Sequence, residues 1–362
     1  MAVRAVFDML PALSPSGVPA AMTTPENVDR LEDQLSEPTE GVLQAMRRLS
    51  GDLIVLGVGG KMGPTLARMA ARASAAAGVQ RRVIGVSRFS SRNLRERLER
   101  WGVETVSCDL LQAEQVSALP DAALVMVMTG MKFGTGTNPA LSWAMNCYVP
   151  ALVSARYRGS RIAAFSSGNV YGLVSPSGGG SVESDSPRPV GEYAMTVLGR
   201  ERMYEYFARE WKIPLALLRL NYATELRYGV LVDLAQKVLR NEPIDVSMGH
   251  VNVIWQRDAN AMALQALERV AMPPRILNIA GPEILSVRDV VLEFGRLMNR
   301  KVQFAGTESR DALLNNAALS HEWFGRPLMS IERILQWTAD WVMKGGESLG
   351  KPTHFESRDG AF

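Results

Sequence analysis

A glycine-rich turn between an apolar run and a helix-forming segment offers the clearest chemistry in this sequence. The run at 53–56 reads LIVL, residues 57–63 read GVGGKMG, and residues 65–70 read TLARMA. A helix N-terminus presents unpaired backbone N–H groups and the positive end of the helix dipole, so it attracts phosphate. We therefore predict that this turn holds the pyrophosphate of a dinucleotide; the alternative is that it is only a turn.

The spacing of the turn is G-x-x-G-x-x-G with one additional glycine. In this pattern Gly57 takes the tight turn, Gly60 lets the backbone approach the phosphates, and Gly63 lets the helix pack close to the strand. The predicted phosphate-binding residues are Gly57, Gly59, Gly60, Lys61, Met62 and Gly63.

The ends of the next two strands bear on the choice of cofactor. Folds that bind NAD commonly place an acidic residue after the second strand to hold the ribose 2′-hydroxyl, but this chain has Ser87 and Arg88 there. A hydroxyl followed by a guanidinium suits a 2′-phosphate, so NADP is predicted over NAD. The alternative is that Arg88 is a solvated loop residue. Asp109 either accepts from the adenine amino group or caps the next helix, and Leu110 beside it joins the predicted cofactor-binding set.

The elements that must position these residues alternate along the chain. Apolar runs predict strands at 53–57, 82–87, 104–108, 123–128, 161–166 and 214–219, and the segments between them predict helices at 62–78, 91–101, about 112–117, 139–158 and 191–211. This alternation predicts an α/β fold, a doubly wound parallel Rossmann-type sheet with right-handed crossovers.

Three regions follow from the change in pattern. Residues 1–50 form an N-terminal extension that is helical from Thr24 to Leu49, with Thr39 as an N-cap; residues 1–22 are predicted to be a flexible or partner-binding arm. Residues 51–220 form the dinucleotide-binding domain. Residues 221–362 form a smaller mixed substrate lobe, with some return to the sheet and with helices predicted near 228–240, 258–271, 286–299 and 330–344.

Composition limits the class of protein. The chain has 362 residues, of which 47% are hydrophobic and 21% charged, and its net charge is +3, so nothing argues for nucleic acid. Two cysteines and three scattered histidines give no metal-ligand spacing, so no metal is predicted. No apolar stretch approaches the roughly 20 residues of a membrane span. A cytoplasmic protein with no membrane partner is the default expectation.

Four further segments carry a resemblance to a known family. They are MTGMKFG at 128–134, Asn146 within WAMN, FSSGNVYG at 165–172, and Tyr193 within PVGEY. Over about residues 51–300 the chain resembles an extended short-chain dehydrogenase/reductase of the NAD-dependent epimerase/dehydratase family, similar to UDP-galactose 4-epimerases. The stretch at 165–172 resembles the family's Ser-Ser-x-x-Val-Tyr-Gly signature, which is its most specific match.

The resemblance implies the roles of the catalytic residues. Tyr193 is expected to be the acid/base on a substrate hydroxyl or carbonyl, and Ser167 to bind that oxygen, with Asn169 also at the substrate. The cofactor is expected to contact Thr129, Gly130, Lys132, Asn146 and Tyr193. The implied activity is hydride transfer on a carbohydrate-like substrate by a homodimer.

One departure from the family motif bears on catalysis. The motif is Tyr-x-x-x-Lys, but here the fourth residue after Tyr193 is Val197. In the family that lysine lowers the pKa of the tyrosine, which is near 10 when the tyrosine is unassisted. Three explanations stay open: Lys132 supplies the charge, Tyr193 acts only as an acid in reduction, or the protein binds the cofactor as a sensor or scaffold without turning it over. Arg200 is a weaker substitute, further along the same helix face.

The later segments supply three more candidates. Asn221 and Tyr222 end the sixth strand and contact either the nicotinamide or the substrate, or else only pack there. Arg257 is a candidate for an anionic group of the substrate, and Asp258 is predicted to be the N-cap of a helix beginning at Ala259.

Overall fold

A computed structural model describes residues 23–90, 92–132 and 137–360. The arm predicted at residues 1–22 lies outside the described residues, as do Phe133 and Gly134 of the 128–134 segment. The strands are β1 (Leu53–Leu56), β2 (Val83–Ser87), β3 (Glu104–Ser107), β4 (Leu124–Val127), β5 (Arg161–Ser167), β6 (Leu215–Leu220), β7 (Ala223–Thr224), β8 (Ile244–Asp245), β9 (His250–Val251), β10 (Ile254–Trp255), β11 (Arg275–Ile279), β12 (Leu285–Ser286) and β13 (Phe304–Ala305).

Helices cover both faces of the central sheet and build the second lobe. They are α1 (Val28–Leu35), α2 (Glu40–Arg48), α3 (Gly63–Ala76), α4 (Arg92–Arg100), α5 (Ala113–Ser117), α6 (Pro139–Trp143), α7 (Val149–Arg156), α8 (Gly191–Trp211), α9 (Val230–Leu239), α10 (Gln256–Ala266), α11 (Val287–Met298), α12 (Ala318–Phe324) and α13 (Ile331–Met343).

The central sheet has seven parallel strands in the order β11-β6-β5-β4-β1-β2-β3. All four residues of β1 are fully buried, as expected of a strand covered on both faces. The chain order reverses between β1 and β4, and ligands of open α/β sheets bind outside the carboxyl ends of the strands at such a point. The predicted doubly wound parallel sheet is confirmed.

The predicted helix over 139–158 is continuous but not regular. A π-helical segment, Ala144–Tyr148, separates α6 from α7. Pro150 lies in the first turn of α7 and has no N–H to donate to the carbonyl of Asn146, four residues earlier, so the regular α-helical ladder is broken there.

The second lobe has its own apolar core and small two-stranded sheets. Trp255 and Trp337 meet edge to face there, with ring centroids 6.1 Å apart, and Phe294 is fully buried in the same cluster. The strand β11 leaves this lobe and pairs with β6 over five residues, which extends the central sheet.

The N-terminal extension packs against the helix that follows the glycine turn. Thr39 Oγ1 accepts from Val42 N at 3.3 Å, so the predicted N-cap is confirmed. Arg68 of α3 donates to Asp33 Oδ1 at 2.6 Å, and Arg72 of α3 pairs with Glu37. These ion pairs hold α1 over α3.

The predicted N-cap at Asp258 is wrong. The helix α10 begins two residues earlier, at Gln256, so Asp258 lies inside it. Its buried carboxylate accepts from Met329 N at 3.1 Å instead, and thereby joins α10 to the loop before α13. Across residues 23–90, 92–132 and 137–360, no helix combines the length and the apolar character needed to cross a membrane.

Candidate active site

The glycines of the turn each meet a different constraint. Gly57 has φ +86°, which favours glycine, and a Cβ on Gly63 would collide with the carbonyl oxygen of Val58. A Cβ on Gly59 would lie 2.6 Å from Ser87 Oγ, which accounts for the extra glycine. A Cβ on Gly60 would meet only Gly57 O, at 3.5 Å. Since the protein itself leaves room at Gly60, the space there is available to a ligand.

The N-terminus of α3 is open to an anion. Its N-cap, Met62, makes no side-chain cap hydrogen bond, and its first turn carries no acidic residue. The free backbone N–H groups and the helix dipole therefore point at the turn without a competing carboxylate on α3. The residues present fit the diphosphate of a dinucleotide.

A cavity of about 590 Å³ lies at the carboxyl ends of the strands beside this turn. It collects most of the residues that the sequence singled out. The predicted residues that line it are Gly59, Gly60, Lys61, Met62, Gly63, Thr129, Gly130, Lys132, Ser167, Asn169, Tyr193, Asn221 and Tyr222.

The predicted residues for the adenosine end do not line this cavity. Arg88 is exposed on the loop after β2, and Ser87 packs against Gly59. Asp109 Oδ1 accepts from Leu111 N at 3.1 Å, which caps a turn, and Leu110 is buried. The geometry gives no support to a 2′-phosphate site at Arg88, because its side chain is not part of the cavity wall.

Asn146 lies behind the cavity wall and is fully buried. Its Nδ2 donates to Thr196 Oγ1 at 2.7 Å, and its Oδ1 accepts from Met131 N at 3.3 Å and from Arg200. These contacts tie the segment that carries Lys132 to α8. Asn146 therefore positions the wall of the cavity.

Ser167 and Tyr193 face the cavity from two different elements. Ser167 ends β5, is 8% exposed, and its Oγ donates to Asn169 Oδ1 at 2.9 Å. Tyr193 lies in the first turn of α8 and is half-buried. Asn221 Nδ2 donates a hydrogen bond to Asn252 Oδ1 at 2.9 Å. This contact agrees with the alternative that Asn221 only packs at the end of its strand.

The position of the family lysine is apolar in this fold. Val197 is fully buried in a small cluster with Val170 and Tyr171. Arg200, one turn later, does line the cavity, but its Nη1 donates to Phe165 O at 2.8 Å and its Nη2 to Asn146. Its guanidinium is thus engaged in holding β5 and Asn146.

Two lysines from distant segments approach the same part of the cavity. Lys132 Nζ donates to Thr353 O at 3.3 Å, and burial lowers its pKa to about 8 while Asp233 opposes the shift. Lys61 Nζ lies 3.2 Å from the ring centroid of Tyr228. Burial, followed by the charges of Lys132 and Lys351, lowers the pKa of Lys61 to about 7.

Several residues of this cavity were not found from the sequence. They come from the extension, α4, the turn after β7 and the C-terminal tail: Glu32, Arg97, Arg227, Tyr228, Lys351 and Thr353. No motif or spacing in the sequence marked these residues, because tertiary packing brings them to the cavity.

Arg257 lies outside this cavity. Its Nε donates to Glu37 O at 2.9 Å, and the residue lines a second cavity between the extension and the loop before α13. The predicted substrate contact at Arg257 is therefore not supported by the geometry. Among the described parts of the chain, no group of three or more His, Cys, Asp or Glu side chains can hold a metal ion.

Comparison with known proteins places the chain in a family. A sequence model of the NAD dependent epimerase/dehydratase family matches residues 53–280, and the chain belongs to this family. A search of curated proteins finds no match.

Solved structures of similar fold include several sugar-nucleotide epimerases. UDP-glucuronic acid 4-epimerase from Bacillus cereus in complex with NAD is 17% identical, with a TM-score of 0.68, over 81% of this chain and 99% of that one. UDP-glucose 4-epimerase from Thermotoga maritima with UDP-glucose is 17% identical, with a TM-score of 0.66 and coverage of 81% and 99%. The Thermus thermophilus UDP-glucose 4-epimerase complex with NAD is 18% identical, with a TM-score of 0.65 and coverage of 80% and 98%. At these identities the likeness shows the fold.

Proposed function

We propose that the protein is an NAD(P)-dependent enzyme that transfers hydride to or from a hydroxyl or carbonyl group of a carbohydrate-like substrate. The observation that carries the proposal is the shared cavity, which the glycine turn, Ser167, Tyr193 and Lys132 all line. The family supports the general class, and the solved relatives with NAD or UDP-sugars support a dinucleotide and a sugar-bearing substrate.

The residues divide into a binding part and a reacting part. Gly59–Gly63 and the N-terminus of α3 would hold the diphosphate, and Thr129 and Gly130 would border the nicotinamide end. A bound nicotinamide supplies the acceptor or donor of the hydride.

The protein's own groups handle the proton. Tyr193 takes a proton from the substrate hydroxyl in oxidation or gives one to the carbonyl in reduction. Ser167 Oγ, held by Asn169, binds the same substrate oxygen and fixes its position relative to Tyr193.

Lys132 is proposed to supply the positive charge that Val197 cannot. A lysine with a pKa of about 8 is mostly charged at neutral pH, so Lys132 brings a positive charge to the wall of the cavity that Tyr193 also lines. Lys132 is largely removed from bulk water, so its charge acts over a longer range than the charge of an exposed lysine would.

Either dinucleotide is compatible with the cavity as proposed. NAD is favoured by the relatives that contain it, while the preference for NADP predicted from Arg88 remains a prediction. We also propose that the protein is a homodimer through α6, α7 and α8. These helices and the π-helical segment between α6 and α7 expose Trp143, Tyr148 and Tyr206, which are 40%, 48% and 57% exposed.

A second candidate function is a sensor or scaffold that binds the dinucleotide without turning it over. Val197 favours it, because an apolar cluster fills the position from which a lysine would reach Tyr193. In that case the cavity would bind the dinucleotide but would not catalyse hydride transfer.

Turnover measurements on variants separate the two candidates. The nucleotide released from denatured wild-type protein is identified by mass spectrometry, and nicotinamide absorbance is followed with a panel of sugars, sugar nucleotides and polyols. Lys132→Met and Tyr193→Phe should each lower kcat by at least about 100-fold, while Lys301→Met, at an exposed lysine of the second lobe, should not change it. Full activity of Lys132→Met would exclude its role, and dinucleotide binding without turnover on any substrate would favour the sensor.

A further inference from the structure

A network of charged side chains, most of them buried, joins three separate regions of the chain at the edge of the cavity. Glu32 of α1 is 2% exposed, and its Oε1 accepts from Arg97 Nη1 at 3.0 Å and from Arg227 Nη1 at 3.1 Å. Glu225 Oε1 accepts from Arg227 Nε at 3.0 Å. Arg97 belongs to α4, and Arg227 to the turn after β7, so the N-terminal extension fixes two guanidinium groups from different parts of the fold.

Both guanidinium groups keep donors that the protein does not use. Arg227 is 7% exposed and bonds through Nε and Nη1, while its Nη2 donates to no acceptor in the described residues. Arg97 Nε is buried without a partner among those same residues. Of the two donors, the Arg97 Nε is the buried one, and buried donors of a charged group are normally hydrogen-bonded.

The position of the pair indicates the ligand. Arg97 and Arg227 line the cavity together with Gly59–Gly63 and Lys61. Glu32 and Glu225 balance the charges of the two arginines, while Lys61 and Lys351 in the same wall leave an excess of positive charge. Arginine is suited to phosphate because its N–H groups form a fixed fork.

From this arrangement we propose that Arg97 and Arg227 bind the diphosphate of the dinucleotide opposite the glycine turn, and that Glu32 is the positioning residue that aims them. The inference rests on the proposed function, since that function supplies the dinucleotide. It assigns the extension a role in cofactor binding, although the extension precedes the segment matched by the family.

Binding of the diphosphate by both Arg97 and Arg227 has a consequence for the exchange of the cofactor. The bound diphosphate would be held by α3, α4 and the turn after β7, and α1 would lie over it. Dissociation then requires the guanidinium contacts to break together, so the dinucleotide is retained between turnovers. A simple structural role for Glu32, fastening α1 to the body, predicts no such dependence on the phosphates.

Binding of ADP, AMP and adenosine to the full chain, measured by calorimetry, distinguishes these cases. Arg227→Met and Arg97→Met should each lower the affinity for ADP and for NAD about 10- to 100-fold. The affinity for adenosine should stay within about twofold of the wild-type value. Glu32→Gln should lower the affinity for ADP less than the arginine substitutions do. Glu32→Asp, which keeps the carboxylate, should lower it less than Glu32→Gln. The control is Arg30→Met, at a side chain of α1 that is 71% exposed.

Each outcome has a defined meaning. Equal losses for ADP and adenosine, or unchanged ADP binding in both arginine variants, would overturn the inference while leaving the proposed function intact. If Arg227→Met does not fold, Arg97→Met decides alone, since its side chain is one-third exposed. Wild-type protein that binds neither ADP nor NAD would overturn the proposed function as well.

Discussion

Lys132 Nζ donates a hydrogen bond to the carbonyl oxygen of Thr353, a residue 221 positions further along the chain. Thr353 in turn donates from N and Oγ1 to Asp233 Oδ2, at 2.7 and 2.6 Å. The C-terminal tail therefore closes one side of the cavity, and it holds the lysine that we propose replaces the family lysine.

Removing the charge of Asp233 should affect catalysis in a pH-dependent way. The Asp233 carboxylate raises the pKa of Lys132 against the lowering effect of burial, so Asp233→Asn should lower that pKa below about 8. The variant should lose more activity at pH 8 than at pH 6.5, because fewer Lys132 side chains stay charged. Asp289→Asn, at an exposed residue of α11, is the control; a loss that is equal at both pH values would contradict the role of Lys132.

Two glycines of the turn should respond differently to the same substitution. Gly60→Ala places a methyl group where the protein leaves room, so it should weaken dinucleotide binding with little change in Tm. Gly63→Ala collides with the carbonyl of Val58 and should lower the free energy of unfolding by about 1–3 kcal/mol. Thermal unfolding and NAD titration of both variants check this, and unchanged NAD affinity in Gly60→Ala would argue against phosphate binding at the turn.

Dinucleotide binding should become weaker as the pH rises through 7. The pKa of Lys61 is about 7 without ligand, and a bound diphosphate favours the charged form, so the complex takes up a proton. Affinity should be greatest below pH 7 and fall by up to about tenfold per pH unit above it, until the raised pKa of the complex is reached.

The matched variant for this effect is Lys61→Met. This variant should bind the dinucleotide more weakly than the wild-type protein below pH 7, and its affinity should no longer fall near pH 7. Only the fall in affinity near pH 8, which Lys132 contributes, should remain. The same pH profile in the variant and in the wild-type protein would show that another group is responsible.

Restoring the family motif should not help an enzyme that already uses Lys132. Val197→Lys puts an ammonium into the cluster of Val170 and Tyr171 and should lower the free energy of unfolding on the order of 3 kcal/mol. Turnover should not rise. A folded Val197→Lys protein that is active where the wild-type protein is inactive would instead support the sensor. Urea unfolding measures the free energy of unfolding, and the activity assay measures turnover.

The proposed dimer depends on exposed aromatic side chains of α6 and α8. Wild-type protein should sediment at about twice the 39.6 kDa of one chain, and Tyr206→Glu should shift it toward the monomer. Leu292→Glu, at a residue of α11 that is 45% exposed, should leave the assembly unchanged. A wild-type monomer in sedimentation equilibrium would contradict the proposal.

The sequence by itself determined the sheet, the glycine turn and the main candidates for catalysis. Apolar runs such as Leu53–Leu56 alternate with amphipathic segments, and parallel strands bring their carboxyl ends to one edge. Local signals of this kind depend on neighbouring residues, which is why the N-cap at Thr39 was also found. The segment with Ser167 and the tyrosine at Tyr193 were identified by resemblance to the family.

Tertiary structure decided the rest, because the remaining contacts join residues far apart in the chain. Lys132 meets Thr353 across 221 positions, and Glu32 meets Arg227 across 195. No periodicity or spacing encodes such pairs; they exist because the extension and the tail pack onto a sheet that other residues build. The same packing places Arg257 outside the cavity and surrounds Val197 with the side chains of Val170 and Tyr171.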